Sequence, residues 1–237
     1  ATPCALRDDA HARYELAQAC FGDVHACFGG AHACYRNVHL CSCPILQVLE
    51  QSYAALHASG SDRGALDGSS TGIAVAMWNT EFQFMHCHKS VYSHLSISIS
   101  VASGRVSYAL GLHGPCSSID TACSASLAAS HLAMRVLQRD ECEQHAVVGV
   151  NLILRMAPKG SSVTIPGMTS LLGRCHSFDR RADGYARAEA CSASVLHARG
   201  QLSSAPQARG SAVRQDGRSA SLTAPNGQAQ VIASHKY

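Results

Sequence analysis

The chain has 237 residues, 46% of them hydrophobic and only 15% charged, with a formal net charge of +3. That is enough apolar material for one or two ordinary cores. It contains no Lys/Arg run of the kind that grips nucleic acid, which excludes that class. The charged share lies below the roughly 25% usual in soluble domains, so the surface is either poor in charge or meant to be covered in part by more protein.

Residues 1–20 hold Arg7, Asp8, Asp9, Arg13 and Glu15 and no apolar run, which is unlike a signal peptide. The longest apolar stretch, 146–154, is broken by Gly149 and Asn151 and is far short of the ~20 residues that span a bilayer. The expectation is a soluble intracellular protein, cytoplasmic or plastid, without a membrane span. In that setting the twelve cysteines read as buried thiols, a metal site or a nucleophile rather than a disulfide framework.

Residues 1–43 form a segment of their own. They carry a tandem heptapeptide, ACFGDVH, ACFGGAH and ACYRNVH, followed by LCSC. Thiolate and imidazole are ligands that zinc prefers, so Cys20, His25, Cys27, His32, Cys34, His39 and Cys41 are the candidate ligands. Their C-x4-H-x-C spacing matches no common finger or ribbon, which favours a low-complexity repeat that binds no metal.

From Pro44 the pattern is that of an α/β domain. Leu46, Leu49, Tyr53 and Leu56 recur at helical spacing and predict a helix over 45–57. TGIAVAMW (71–78) predicts a buried strand. A helix is expected over 97–110, ended by GLHG, then a short strand over 118–121 and an Ala-rich helix over 123–138. Strands follow over 145–154 and 191–198, and 199–230 reads as loop. Strands alternating with helices point to a layered α/β fold.

The chemistry centres on GPCSSIDTACSASLAASHLAM (114–134). A short strand runs into a sharp turn, and a small-residue helix starts at Cys123. Ala122, Ser124, Ala125 and Ser126 leave room around the sulfur. A helix N-terminus supplies unpaired N–H groups and partial positive charge, which favour the thiolate. The arrangement is analogous to the nucleophile elbow of hydrolases, with Cys for Ser. The local chemistry also leaves open a buried, inert thiol.

This segment resembles the active-site signature of β-ketoacyl synthases, in particular the ketosynthase domains of type I polyketide synthases, where DTACSSS is usual. DECEQHAVVGVNLIL (140–154), GRCHSFDRRADGYARAEA (173–190) and GSAVRQDGRSASLTAPNGQAQ (210–230) are similar to further family strings in the same order. PILQVLEQSYAALHASG (44–60) and STGIAVAMWNTEF (70–82) match more weakly. Thiolases fit the flanking strings less well. The resemblance implies a thiolase-like, layered αβαβα fold in a homodimer, with the N-terminal half present here and most of the C-terminal half missing. It implies that 44–237 is a partial ketosynthase domain. It also implies an acyl chain carried on Cys123, taken from the phosphopantetheine thioester of an acyl carrier protein and condensed with a decarboxylated malonyl-type extender, in polyketide or fatty-acid synthesis. No bound cofactor is implied.

Departures from the family pattern are several. The family's two catalytic histidines lie in HGTGT and KSNIGH motifs, and neither string occurs in this sequence. His131, His145, His176, His197 and His235 do not sit in matching contexts. The chain as given is therefore not expected to complete the condensation. Ser130 takes a usually apolar place in the nucleophile helix, and Arg214 replaces an asparagine. Leu172 stands where a turn aspartate is usual, and Ala188 and Ala190 replace glycines where the backbone needs freedom. Two other readings remain open: a non-catalytic, ketosynthase-derived fragment that acts by association, and a Cys/His metal module fused to an inert domain.

Overall fold

In the computed structural model, the described residues are 44–78, 98–154, 168–198, 206–221, 224–229 and 231. The heptapeptide repeat with its seven candidate metal ligands, and His235, lie outside them.

Helix α1 (Pro44–Ala58) buries Ile45, Leu46, Val48, Leu49 and Leu56 on one face. Ser52 also lies on that face, and its hydroxyl donates to Val48 O at 2.6 Å, so no polar group is stranded there. After a turn at Gly60, Asp62 caps the short helix α2 (Arg63–Leu66) by accepting from Ala65 N–H at 2.8 Å. Strand β1 (Gly72–Met77) is buried along its whole length, as a continuous apolar run demands.

The second helix of the sequence reading divides in two. A 3₁₀ turn (Ile99–Val101) leads into α3 (Ala102–Leu110). No side chain in its own first turn caps α3; instead Ser118, from the following strand, accepts from Ser103 N–H at 3.2 Å. Gly111, at φ +71°, ends α3 in the left-handed conformation. A side chain there would meet the backbone of Asp67.

Strand β2 spans Cys116–Ile119 rather than 118–121. Parallel pairing with β1 sets its register, from Ile73 opposite Cys116 to Ala76 opposite Ile119, which leaves Asp120 and Thr121 to the turn. Helix α4 (Ala125–Gln138) follows a 3₁₀ turn (Ala122–Ser124), so the α-helix proper starts two residues after Cys123. Strands β3 (Gln144–Asn151) and β4 (Ala190–His197) complete a four-stranded sheet of order β2-β1-β3-β4. β1, β2 and β3 are parallel, and β4 runs antiparallel to β3.

Alternation sends Ile73, Val75, Val148 and Val150 into a core with α1 and α3, while Ala74, Ala76 and Val147 face the alanines of α4. The result is a helix–sheet–helix sandwich. Between 206 and 221 the described residues form neither helix nor strand, as the sequence suggested, but residues 227–229, also expected to be loop, are helical. Among the described residues no helix is long and apolar enough to cross a membrane.

Candidate active site

Because β1, β2 and β3 are parallel, their carboxyl ends share one edge of the sheet, which is where open α/β sheets bind ligands. The chain leaves β2 at Ile119 and turns there. Asp120 Oδ1 accepts from Ala122 N–H at 2.9 Å. Ala122 is held at φ +52°, a left-handed conformation that costs an ordinary residue about 1–2 kcal/mol. Ser124 Oγ reaches back to Thr121 O (2.8 Å) and Thr121 Oγ1 (2.9 Å). These bonds close a tight elbow with Cys123 at its crest, exposed, at the N-terminal end of α4.

The other described thiols differ. Cys142 is buried, and burial pushes its thiol pKa up. Cys191 faces the core from β4, and burial pushes it to about 11. Cys175 is exposed, but its sulfur accepts from Ala186 N–H at 3.0 Å and serves to close its own loop. Cys116 is exposed at the opposite end of β2 from the elbow. Among the described residues no group of three or more His, Cys, Asp or Glu side chains is arranged to hold a metal ion.

Among the described residues no histidine is paired with Cys123 by a hydrogen bond or ion pair. His131 lies eight residues further along α4, about 12 Å away at 1.5 Å per residue, and its Nδ1 pairs with Ser211 Oγ at 2.8 Å. His145 and His197 stand at the far edge of the sheet, where β3 begins and β4 ends. His145 is 1% exposed, donates from Nδ1 to Ala146 O, and has its pKa lowered by burial. His176 belongs to the 168–187 loop.

That loop is fastened by a bridge between Thr169 and Tyr185. Ser170 Oγ accepts from Leu172 N–H (3.2 Å) and Arg174 N–H (3.4 Å), which holds the turn at Leu172 without an aspartate there. A hydrogen bond with Ser170 holds the Asp183 carboxyl below its usual range. Arg181 grips Asp179 through two nitrogens, at 3.0 and 2.8 Å, and lowers that carboxyl too. Gly184 (φ +140°) fits where a Cβ would strike the backbone at Thr169 and Ser170. Phe178, at the tip, is fully exposed at φ +60°.

The concern over Ala188 and Ala190 is not upheld, since neither residue has a positive φ. Ala188 O accepts from Asn151 Nδ2 (2.7 Å), and Ala190 pairs with Asn151 in the sheet. Ser130 satisfies its hydroxyl on Ser126 O within α4 (2.8 Å). Arg214 Nη1 donates to Val213 O at 2.9 Å. Sequence reasoning missed Glu189, whose Oε1 accepts from Ile153 N–H at 2.7 Å and ties the end of β3 to the start of β4. It also missed Asn226, which gathers Asp216 and Arg218 into one turn. The Glu189 bond spans 36 residues and has no local signal in the sequence.

Residues 36–201 match the family described as β-ketoacyl synthase, N-terminal domain. The chain is 37% identical over 197 residues to a mycocerosic acid synthase-like polyketide synthase of Mycolicibacterium smegmatis, covering 77% of this chain and 9% of that protein. Among solved structures it is similar to the ketosynthase from module 6 of the bacillaene synthase of Bacillus subtilis (TM-score 0.71, 29% identity, 81% of this chain and 34% of that one). It is also similar to an oxazolomycin ketosynthase domain of Streptomyces albus (TM-score 0.57, 32% identity, 66% of this chain and 28% of that one). The chain thus spans about a tenth of the curated relatives and about a third of the solved domains. The mixed sheet with helices on both faces is part of their thiolase-like fold.

Proposed function

Because this chain belongs to the β-ketoacyl synthase family, we propose that Cys123 is the acyl-accepting nucleophile of a ketosynthase domain. The observation that carries this is an exposed thiol on a strained elbow, at the carboxyl edge of three parallel strands and the N-terminus of a helix. The substrate is the acyl-phosphopantetheine thioester of an acyl carrier protein. The Cys123 thiolate attacks the thioester carbonyl carbon. A C–S bond to Cys123 forms, the bond to the carrier sulfur breaks, and the carrier thiol leaves with the proton that Cys123 lost. Amide N–H groups at the helix start suit the oxyanion that develops.

In the complete domain, which is a homodimer in this family, the acyl group then passes to the carbanion left by decarboxylation of a malonyl-type extender. That step draws on histidines of the HGTGT and KSNIGH type, which are not among the residues of this sequence. Residues 44–237 are the ketosynthase portion of this reading, and the family match reaches back to residue 36, into the end of the Cys/His repeat. Incubation with an isotopically labelled acyl-pantetheine thioester tests the reading. Label should be carried by Cys123 and lost in Cys123→Ala. Label retained in Cys123→Ala contradicts it.

A second reading, association without catalysis, draws support from the apolar residues left uncovered. Leu127, Leu171, Leu172 and Phe178 are each more than three-quarters exposed, between 76% and 111%.

A further inference from the structure

The chain has one tryptophan, Trp78. It follows Met77, the last residue of β1, at the carboxyl edge of the sheet, and it is 44% exposed. The cores take Ile73, Val75 and Met77 on one face of β1 and Ala74 and Ala76 on the other, and Trp78 belongs to neither. An indole carries a large, rigid apolar surface, and here much of it faces water.

Its depth in the fold matches that of Cys123. Helix α4 runs from the carboxyl end of β2 to the amino end of β3, so its N-terminus stands at the carboxyl edge. Ser126, in its first turn, marks the level: a Cβ built on Gly149 would touch Ser126 Oγ, and Gly149 pairs with Ala76. From Ala76, Trp78 lies two residues further toward the carboxyl edge, about 7 Å at strand rise. From Ser126, Cys123 lies three residues further the same way, about 5 Å at helical rise. Ala74 and Ala76 face α4, and 78 is the next position of that row. The indole and the exposed thiol thus stand at the same end of one seam.

We infer that Trp78 is a specificity-determining residue: its indole forms an apolar wall beside Cys123, along which the aliphatic part of a captured acyl chain lies. This rests on the reading of Cys123 as the nucleophile. The wall does nothing for the thioester carbonyl, which acetyl and longer groups present alike. It acts on the methylenes beyond the carbonyl, each of which is stabilised on leaving water.

The test uses the 237-residue chain with acetyl- and octanoyl-pantetheine thioesters. Capture at Cys123 should half-saturate at about tenfold lower octanoyl than acetyl thioester. Trp78→Ala should bring the two within about twofold, by weakening octanoyl capture and leaving acetyl capture as it was. Trp78→Phe, which keeps an aromatic face, should retain most of the preference. The lone indole also reports directly: octanoyl capture should shift its emission to shorter wavelength, and Cys123→Ala should show no shift. An octanoyl preference that survives Trp78→Ala, or stoichiometric octanoyl capture with unchanged emission, overturns the inference. The emission measurement needs no change at position 78, so it decides the matter even if Trp78→Ala does not fold. If the parent captures both acyl groups without preferring octanoyl, the specificity role falls and Cys123 remains the nucleophile. If the parent captures no acyl group at Cys123, the functional reading falls and takes this inference with it.

Discussion

Asp120 Oδ1 accepts from Ala122 N–H at 2.9 Å, and Ala122 is held at φ +52°. The carboxylate thus supports a backbone conformation that alanine would not adopt unaided. Asp120→Ala should cost about 0.5–1 kcal/mol of stability and slow acyl capture at Cys123. Asp120→Asn, which keeps an oxygen acceptor, should restore most of both. Ala122→Gly should stabilise the chain by about 0.5–1 kcal/mol, since glycine adopts this conformation without penalty. Urea midpoints at constant slope measure the stabilities.

Thiol accessibility gives a second prediction. Under native conditions a brief pulse of iodoacetamide should modify Cys123, Cys116 and Cys175, which are exposed, and spare Cys142 and Cys191. Cys142 is buried and Cys191 half-buried, and burial raises both thiol pKa values, to about 11 for Cys191. Peptide mapping by mass spectrometry reads the order. Modification of Cys142 or Cys191 ahead of Cys123 would show that the sheet packs differently.

His145 makes stability depend on pH. Burial lowers its pKa in the folded chain, so as pH falls the unfolded chain takes the proton first. Its contribution is complete above the ordinary histidine value of about 6.5 and is lost as pH drops below it. The urea midpoint should fall as pH drops below about 6.5, and His145→Leu should flatten that part of the curve. An unchanged profile in the variant would assign the loss to other groups.

Exposed apolar residues predict association. Leu171 and Phe178 are 96% and 111% exposed on one loop, more than an isolated chain usually leaves in water. In sedimentation the chain should form concentration-dependent oligomers, and a double change of Leu171 and Phe178 to Ser should reduce them. A monodisperse parent monomer would contradict this.

Much of the fold was legible because its signals are local. The apolar run of β1, the helical spacing of α1 and the glycine after α3 each lie within a few residues. The start of β2 was misread by two residues because its register is set by pairing with β1, which no local pattern encodes. That Cys123 sits on a turn between a strand and a helix was legible from the small residues around it. What stayed hidden were contacts between distant segments: Ser118 on Ser103, Glu189 on Ile153, Ser126 over Gly149. The first two join ordinary polar groups, and the third is visible only as a glycine in a strand, where many causes give the same letter.

The most direct test of the account is the site of acyl transfer. Intact-protein and peptide mass spectrometry after exposure to an acyl-pantetheine thioester should find one added acyl group, on Cys123, released by hydroxylamine and absent in Cys123→Ala. An acyl group on Cys116 or Cys175 at an equal rate, or none on Cys123, would contradict it.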